Sequence, residues 1–403
     1  MRLIVVALIV LVSVSAVAQK KQISQARDYI KSGKNLDKAE SILRTQLADS
    51  AQRNNLKVWQ LLMDALTAQY EYGNEQLYLK QKYDTLTFFT TARKLFEAGE
   101  SMDSVDMQPD DEGRVHTKYR ARNAAYLVRI LPNLYYGGVF LVNKKNYKLA
   151  YDYFDHYLSV SLKPLFTGMR IDSTGSMGVS AAYWTMYCGF KMGSAPLIMR
   201  HHQLAEKDTS QLAFVMQYEA EAYEIMNDTQ KYVDCLRKGF NRYPKFPFFF
   251  PRLMEYYDKT MQNDSALALV NRALSVDSTS QFYRYAKSSV YLNMGRYEDC
   301  IDICDKLIKE NENLADAYYN AGLSYFNMAI ELDKMRQESR YNRRRILELY
   351  NKALPYLETY RKLAPDRQDN WISPLYTIYL NLNMGKKFDE IDNIRNEYKR
   401  NHK

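Results

Sequence analysis

Apolar residues recur three and four positions apart along most of this chain, the spacing that lines one face of an α-helix. Trp59, Leu62, Met63 and Leu66 show it near the start. Trp371, Leu375, Ile378, Tyr379 and Leu382 show it near the end. Between Ala213 and Pro365 a longer period overlies it: Tyr223, Tyr257, Tyr291 and Tyr325 stand 34 residues apart. Ala220, Met254, Ser288 and Gly322, mostly small, precede them by three residues. Further slots agree in phase: Tyr232, Ala266 and Cys300; Leu236, Val270 and Cys304; Gly239 and Ala273. Pro244 and Pro365 close units of the same kind, and Asn293-Met294-Gly295-Arg296-Tyr297 has the Gly and Asn of an internal turn. Such a unit is two helices whose apolar faces cannot both be buried within one hairpin, so stacked neighbours complete the core. The small slot lets backbones approach, and the tyrosine one turn along fills the space between units. These residues read as core packing.

A 34-residue period with a small residue before an aromatic and a second apolar stripe ending near Pro resembles the tetratricopeptide repeat (TPR) family. The resemblance implies an all-α, right-handed superhelical solenoid of antiparallel helix pairs. It names no ligand.

The rest of the chain divides around this array. From Ile23 to Ser50 lies one degenerate unit, with Ala26 and Tyr29 on a first helix, Gly33 at the turn, and Ala39 and Leu43 on a second. A long aromatic-rich helix is predicted over about Asn74 to Ala98, then an acidic loop from Gly99 to Gly113, so that 19–115 reads as an N-terminal helical cap. The repeat returns from Tyr119, with Leu134, Gly138 and Leu141 before the turn and Tyr147, Ala150 and Phe154 after it. Pro164, Gly168, Gly175 and Gly178 mark a loop over Ser161 to Gly178. A further unit carries Ala181, Tyr183, Trp184, Gly193 and Ala205, and in-phase units begin near Ala213, Pro247 and Gln281. In the unit beginning at Ala315, Ala353 of the second helix follows Tyr325 by 28 residues where about nine are standard. The extra stretch, about 330–349, lacks Gly and Pro and is expected to lengthen both helices into a projecting hairpin. Exported bacterial TPR proteins that the chain resembles carry a similar long last unit, here with Ala353 to Glu358. The array is thus assigned to 116–370 and the polar capping helices to 371–403.

Composition changes this picture little. Hydrophobic residues at 46% and charged residues at 26% indicate an ordered chain, and 15 Gly with 10 Pro in 403 residues favour helix throughout. The net charge of +9 is mild for this length, and no Lys/Arg run interleaved with aromatics points to nucleic acid. Arg2, the apolar run Leu3 to Val14 and Ala16-Val17-Ala18 read as a secretion signal, residues 1–18, cleaved before Gln19. An uncleaved N-terminal anchor is the alternative; with Cys188 the first cysteine, a lipoprotein is not expected. No other stretch is predicted to span a membrane. An exported, periplasmic protein is expected.

Little in the sequence announces chemistry. There is no phosphate-cradling Gly loop, nucleophile elbow or H-E-x-x-H. The four cysteines, including Cys300 and Cys304 in core slots, read as buried thiols. Of His116, His156, His201, His202 and His402, only two are close in sequence, and adjacent helical residues do not face one site. No cofactor, metal site or catalytic set is therefore expected. Asp-Ser and Asp-Thr triplets at Asp49, Asp84, Asp103, Asp172, Asp264 and Asp277 read as helix-cap and loop chemistry, although they look like the O-glycosylation acceptors of some Gram-negative anaerobes. Asn227-Asp228-Thr229 and Asn263-Asp264-Ser265 are N-glycosylation sequons, relevant only in a eukaryote.

Binding surfaces are the remaining possibility. Phe246-Pro247-Phe248-Phe249-Phe250-Pro251 reads either as a helix N-terminus with packed rings or as an exposed anchor. Arg336, Arg340, Arg343, Arg344 and Arg345 of the insert read as a solvated face, or as a contact for lipid phosphates or an acidic partner. The TPR resemblance implies that first helices line a concave groove. Transferred residue by residue, that face carries Tyr135, Tyr136, Tyr183, Trp184, Tyr187, Tyr218, Phe282, Tyr285, Tyr319 and Asn320. Related chaperone-binding TPR domains hold a C-terminal carboxylate with Lys, Asn and Arg. Arg252 and Asn320 match such slots here and the lysines do not. The expected function is a periplasmic scaffold binding a protein or peptide through an aromatic groove. A glycan- or envelope-polymer-binding module is the alternative, and an enzyme ranks third.

Overall fold

The computed structural model describes residues 18–334 and 340–401. The expected signal up to Val17, Arg336, Glu338 and His402 lie outside the described residues. All regular structure among the described residues is helical, in two compact units that run to Cys235 and from Leu236 on.

The first unit contains α1 (18–32), α2 (Leu36–Ala48), α3 (Leu56–Tyr78), α4 (Thr85–Asp106), α5 (Arg120–Ile130), α6 (Pro132–Asn143) and α7 (Tyr147–Ser159). After two 3₁₀ turns, Val160–Leu162 and Pro164–Phe166, come α8 (Ser176–Lys191), α9 (Ala195–Met199), α10 (His202–Ala205) and α11 (Leu212–Ile225). Helix α12 (Thr229–Arg242) contains the division between the units. The second unit continues with α13 (Phe249–Lys259), α14 (Asn263–Val276), α15 (Gln281–Asn293), α16 (Tyr297–Glu310), α17 (Ala315–Lys334), α18 (Arg340–Leu363), α19 (Gln368–Asn381) and α20 (Gly385–Asn401). In each unit successive helices pack on one another, and Leu43, Phe154, Ala220, Val270, Cys300 and Cys304 are wholly buried, whereas of the slot tyrosines Tyr257 is buried and Tyr223, Tyr291 and Tyr325 are half-buried. All four cysteines are free thiols.

The repeat register is written in the backbone as well as in the side chains. Gly193, Asn227, Met261 and Gly295, 34 residues apart, all have positive φ, between 54° and 71°. Each ends a first helix. The next amide donates to the carbonyl six-to-one, as in Asp228 to Tyr223, Gln262 to Tyr257 and Arg296 to Tyr291. The left-handed residue itself donates five-to-two, as Met261 does to Asp258. This pair of bonds is the Schellman motif, which satisfies the orphan carbonyls of a helix end. The tyrosine slot therefore also supplies the carbonyl that closes the hairpin. Gly189 holds that slot in the α8 hairpin, so the in-phase series starts one unit earlier than the tyrosines reveal. A Cβ at Gly189 would stand 2.7 Å from the Ile198 backbone nitrogen, which is why this slot cannot hold an aromatic.

Two boundaries in the N-terminal region differ from expectation. The predicted helix over Asn74 to Ala98 is broken at Leu79–Asp84, where Lys80 has positive φ and the Asp84 carboxylate caps α4 through the Thr87 amide at 2.9 Å. The predicted acidic loop is helical as far as Asp106. Asp103 and Asp106 are buried there. Asp106 accepts the backbone N–H groups of Lys118, Tyr119 and Arg120 at 3.1, 2.7 and 3.2 Å. Asp103 takes the Arg120 guanidinium through two bonds of 2.8 and 2.7 Å. The two carboxylates thus tie down the segment leading into α5 and cap its positive end. Asp49, Asp172 and Asp277 likewise accept amides two residues on, the loop chemistry expected of those triplets.

The last repeat is lengthened on both sides of its turn. Helices α13 and α15 end two residues after their slot tyrosine, whereas α17 runs nine residues past Tyr325. Helix α18 begins thirteen residues before Ala353, against three before Cys300 in α16. The extension is not wholly free of the core, because Leu349 is 3% exposed and packs with Ala329, Tyr350 and Ala353. Arg343, Arg344 and Arg345 are exposed, and Arg344 and Arg345 pair with Glu348 within their own helix.

Among the described residues no single helix is long and apolar enough to cross a membrane. The bent pair α5 and α6 passes by length and composition together, with Leu127, Ile130, Leu134 and Leu141 buried in the unit.

Two substitutions test this account. Met261 is 87% exposed and pays for left-handed geometry with nothing packed against it. Met261→Gly is expected to stabilise the protein by about 1 kcal/mol, read as a higher urea midpoint at unchanged slope. Asp106→Ala strands the three backbone amides that its carboxylate holds and should destabilise by about 2–4 kcal/mol in the same measurement.

Candidate functional site

The residues predicted to line a groove fall into two groups, one in each unit. In the first unit, α6, α7, α8 and α11 bring together a continuous cluster of rings. Tyr136 meets Tyr135 at 5.5 Å between centroids, and Tyr135 meets Phe154 at 5.7 Å. Phe154 lies parallel to Trp184 at 6.4 Å, and Trp184 touches Tyr183 and Tyr187 at 5.4 and 5.6 Å. Both of those tyrosines reach Tyr218, at 6.1 and 6.2 Å. Edge and tilted contacts of this kind add to the area term and fix ring orientation. The Tyr135 hydroxyl is 2.9 Å from Ser180 Oγ.

The cluster has a wet side and a dry side. Tyr136 is 50% exposed and Phe214 of α11 41%, while Tyr135, Tyr183, Trp184 and Tyr187 are half-buried. Tyr218 is 4% exposed, against the expectation that it faces the groove. Burial, with the Tyr183 hydroxyl beside it, pushes the Tyr218 phenol well above its ordinary pKa; burial raises Tyr183 too. Both phenols therefore stay protonated as hydrogen-bonding groups.

In the second unit, Phe282 and Tyr285 line a cleft of about 350 Å³ between α13, the start of α14 and α15. Phe250, Met254, Ala266 and Val290 form its apolar wall, and Glu255, Asp258 and Asn293 its polar edge. Asn293 Nδ2 donates to Asp258 at 2.9 Å. Phe282 is 54% exposed. Burial raises the Tyr285 phenol. Tyr319 is half-buried against Tyr360, 4.8 Å between centroids, and its phenol is pushed up to about 12, first by burial and then by Tyr360 and Asp369.

Both candidates for a carboxylate clamp are already engaged. Asn320 is 3% exposed and donates to Ser288 Oγ at 3.1 Å and Ser289 Oγ at 2.9 Å. The Arg252 guanidinium lies 3.8 Å from the centre of the Phe248 ring. The clamp suggested by those two slots is not assembled. The reason is geometric: positions 183, 285 and 319 share one repeat slot, and positions 184, 218, 252 and 320 the next. Neighbouring helical residues point in different directions, and in the second slot Tyr218 and Asn320 turn into the core while Trp184 and Arg252 stay half-buried.

The phenylalanine run is also core. Phe248, Phe249 and Phe250 are buried, Phe249 lying over Gly239, where a Cβ would come within 2.3 Å of its ring. It offers no exposed anchor.

Two histidines belong to structural pairs. His156 Nε2 is 2.8 Å from Glu100, and His201 Nε2 is 2.7 Å from Asp155.

No family model matches the chain. A stretch of 91 residues is 29% identical to Hsp70-Hsp90 organizing protein 1 of Glycine max, covering 23% of this chain and 16% of that protein. The chain thus spans about a sixth of that relative. Among solved structures it is similar to the C-terminal part of a TPR repeat-containing protein from Cytophaga hutchinsonii, at 12% identity over 64% of this chain and 92% of the other, with a TM-score of 0.45. A TPR repeats protein from Bacteroides fragilis matches at 15% identity over 66% and 98%, with a TM-score of 0.29. These scores carry no argument by themselves. The family follows from the chain's own register, in which side-chain slots and left-handed turns repeat every 34 residues and each period builds a helix pair. This protein is a tetratricopeptide repeat protein.

Proposed function

We propose that this chain is an exported, periplasmic scaffold that binds an extended protein or peptide segment on the aromatic surfaces of its first helices. The observation that carries the reading is the cleft lined by Phe282 and Tyr285, whose apolar wall and carboxylate edge suit side chains projecting from an extended backbone. The ring cluster around Tyr183, Trp184 and Tyr187 offers a second surface, built from residues of few rotamers. The name of the soybean relative describes a protein that organises two others, which supports a scaffold over an enzyme. Export rests on Arg2, the Leu3–Val14 run and the small residues at 16–18.

The experiment is affinity capture with cross-linking from envelope fractions, using full-length wild type and a Tyr183→Ala, Tyr187→Ala, Tyr285→Ala triple variant. Wild type should capture a discrete protein partner, and the triple variant should lose it by about tenfold or more while keeping its helical circular dichroism. Recovery of polysaccharide and no protein would overturn the scaffold in favour of a glycan-binding module. Capture by the triple variant at wild-type affinity would move the site to the α17–α18 extension. An intact Met1 in the membrane fraction would replace the cleaved signal with an anchor.

A further inference from the structure

The second helix of the α8 hairpin departs from its repeat. The second helices α14 and α16 are continuous, whereas this one is divided into α9 and α10 at Arg200–His201. The break turns His201 toward Asp155 on α7, where Arg200 Nε also bonds the same carboxylate at 2.8 Å. It leaves His202 to open α10, with Glu206 four residues on and therefore on the same face, one turn away.

Glu219 of α11 completes a set. One ligand atom each from His202, Glu206 and Glu219 lie within 4.8 Å of one another. His202 Nδ1 stands 2.5 Å from the Met199 carbonyl oxygen, which can only accept, so Nδ1 carries the proton. That bond holds the ring and leaves Nε2 with the lone pair, the orientation that outer contacts impose on metal-ligating histidines. The Cys235 thiol stands beside the Glu219 carboxylate, 4.0 Å from Oε2.

We propose that His202, Glu206 and Glu219 bind a first-row divalent cation, with Zn²⁺ the best match. One imidazole and two carboxylates are a three-ligand set that leaves a fourth tetrahedral position for water. Ca²⁺ and Mg²⁺ need more oxygen ligands than three residues provide. Tetrahedral ligands with bonds of about 2.0–2.2 Å stand roughly 3.3–3.6 Å apart, so the set must close slightly on the ion. Glu206 is exposed and supplies that adjustment by changing rotamer. The bound ion would clip the broken second helix to the first helix of the next repeat, and metal would then order the same hairpin that carries Tyr183, Trp184 and Tyr187.

The test uses the full chain without an affinity tag, stripped with a chelator and titrated with Zn²⁺ alone by calorimetry. One saturable site of micromolar or tighter affinity is expected, with a melting temperature that rises with free zinc. His202→Ala and Glu206→Gln should each weaken binding by about tenfold or more. Glu206→Gln changes an exposed side chain, so its fold should be intact by circular dichroism. His116→Ala, at an exposed histidine remote in sequence, should bind as wild type does. Cobalt(II) in the wild-type site should show visible bands that both ligand variants lose. A wild type without a saturable site, or ligand variants that bind zinc as tightly as wild type, would overturn the assignment.

Discussion

A helix hairpin in this chain cannot bury itself. Each first helix carries a buried stripe and a half-buried one, so its rings need the following pair to be covered, and the repeat follows from that need. Tyr297 at the start of α16 illustrates the dependence: its hydroxyl donates to Glu331 on α17 at 2.5 Å, across the join between consecutive repeats. Asn320 does the same in the core, reaching back to Ser288 and Ser289 on α15. Such directional polar bonds between repeats fix the register of one on the next more sharply than apolar contact alone does. Hydrophobic burial supplies the stability, and these bonds supply the alignment.

The abundance of tyrosine becomes intelligible on the same grounds. A side chain between stacked pairs has one end in the core and one at the surface, and a phenol suits both. Tyr257 is 6% exposed, yet its hydroxyl still accepts from Arg237 Nε at 3.0 Å. Tyr356, half-buried, donates to Asp305 at 2.7 Å. The rings that face outward differ in position rather than in kind, and for that reason composition says little about which of them meet a ligand.

The architecture was largely legible because its signals are periodic: the tyrosine slots, the mostly small residues before them and the apolar slots of the second helices repeat together. What escaped was non-periodic. The αL residue of the α13–α14 turn is Met261, which no turn propensity marks, and the α8 hairpin hides its phase behind Gly189 in the tyrosine slot. Asp103 and Asp106 look like loop residues until Arg120 and the start of α5 are placed beside them. Of the residues assigned to the groove, two are buried instead, because adjacent slots differ by about 100° around a helix and nothing in a single sequence shows which one turns inward. Tyr218 and Asn320 fell on the inward side.

In a repeat protein the slots that every unit fills alike are the ones packing requires, so the departures are where a particular protein differs from its architecture. Three stand out here. The small slot before Tyr257 holds Met254, and that longer side chain forms part of the wall of the α13–α15 cleft. The α17–α18 pair extends beyond its neighbours and carries exposed arginines. The α9–α10 helix is broken at Arg200–His201, and the two histidines there do different work: one locks the hairpin to Asp155, the other stands with Glu206 and Glu219. A break costs helical hydrogen bonds that the other second helices keep, and the Asp155 pair with Arg200 and His201 offsets part of that cost. The surface so released is polar and lies on α10 and α11, next to an aromatic cluster that is otherwise apolar, which gives the first unit two chemically distinct faces on adjoining helices.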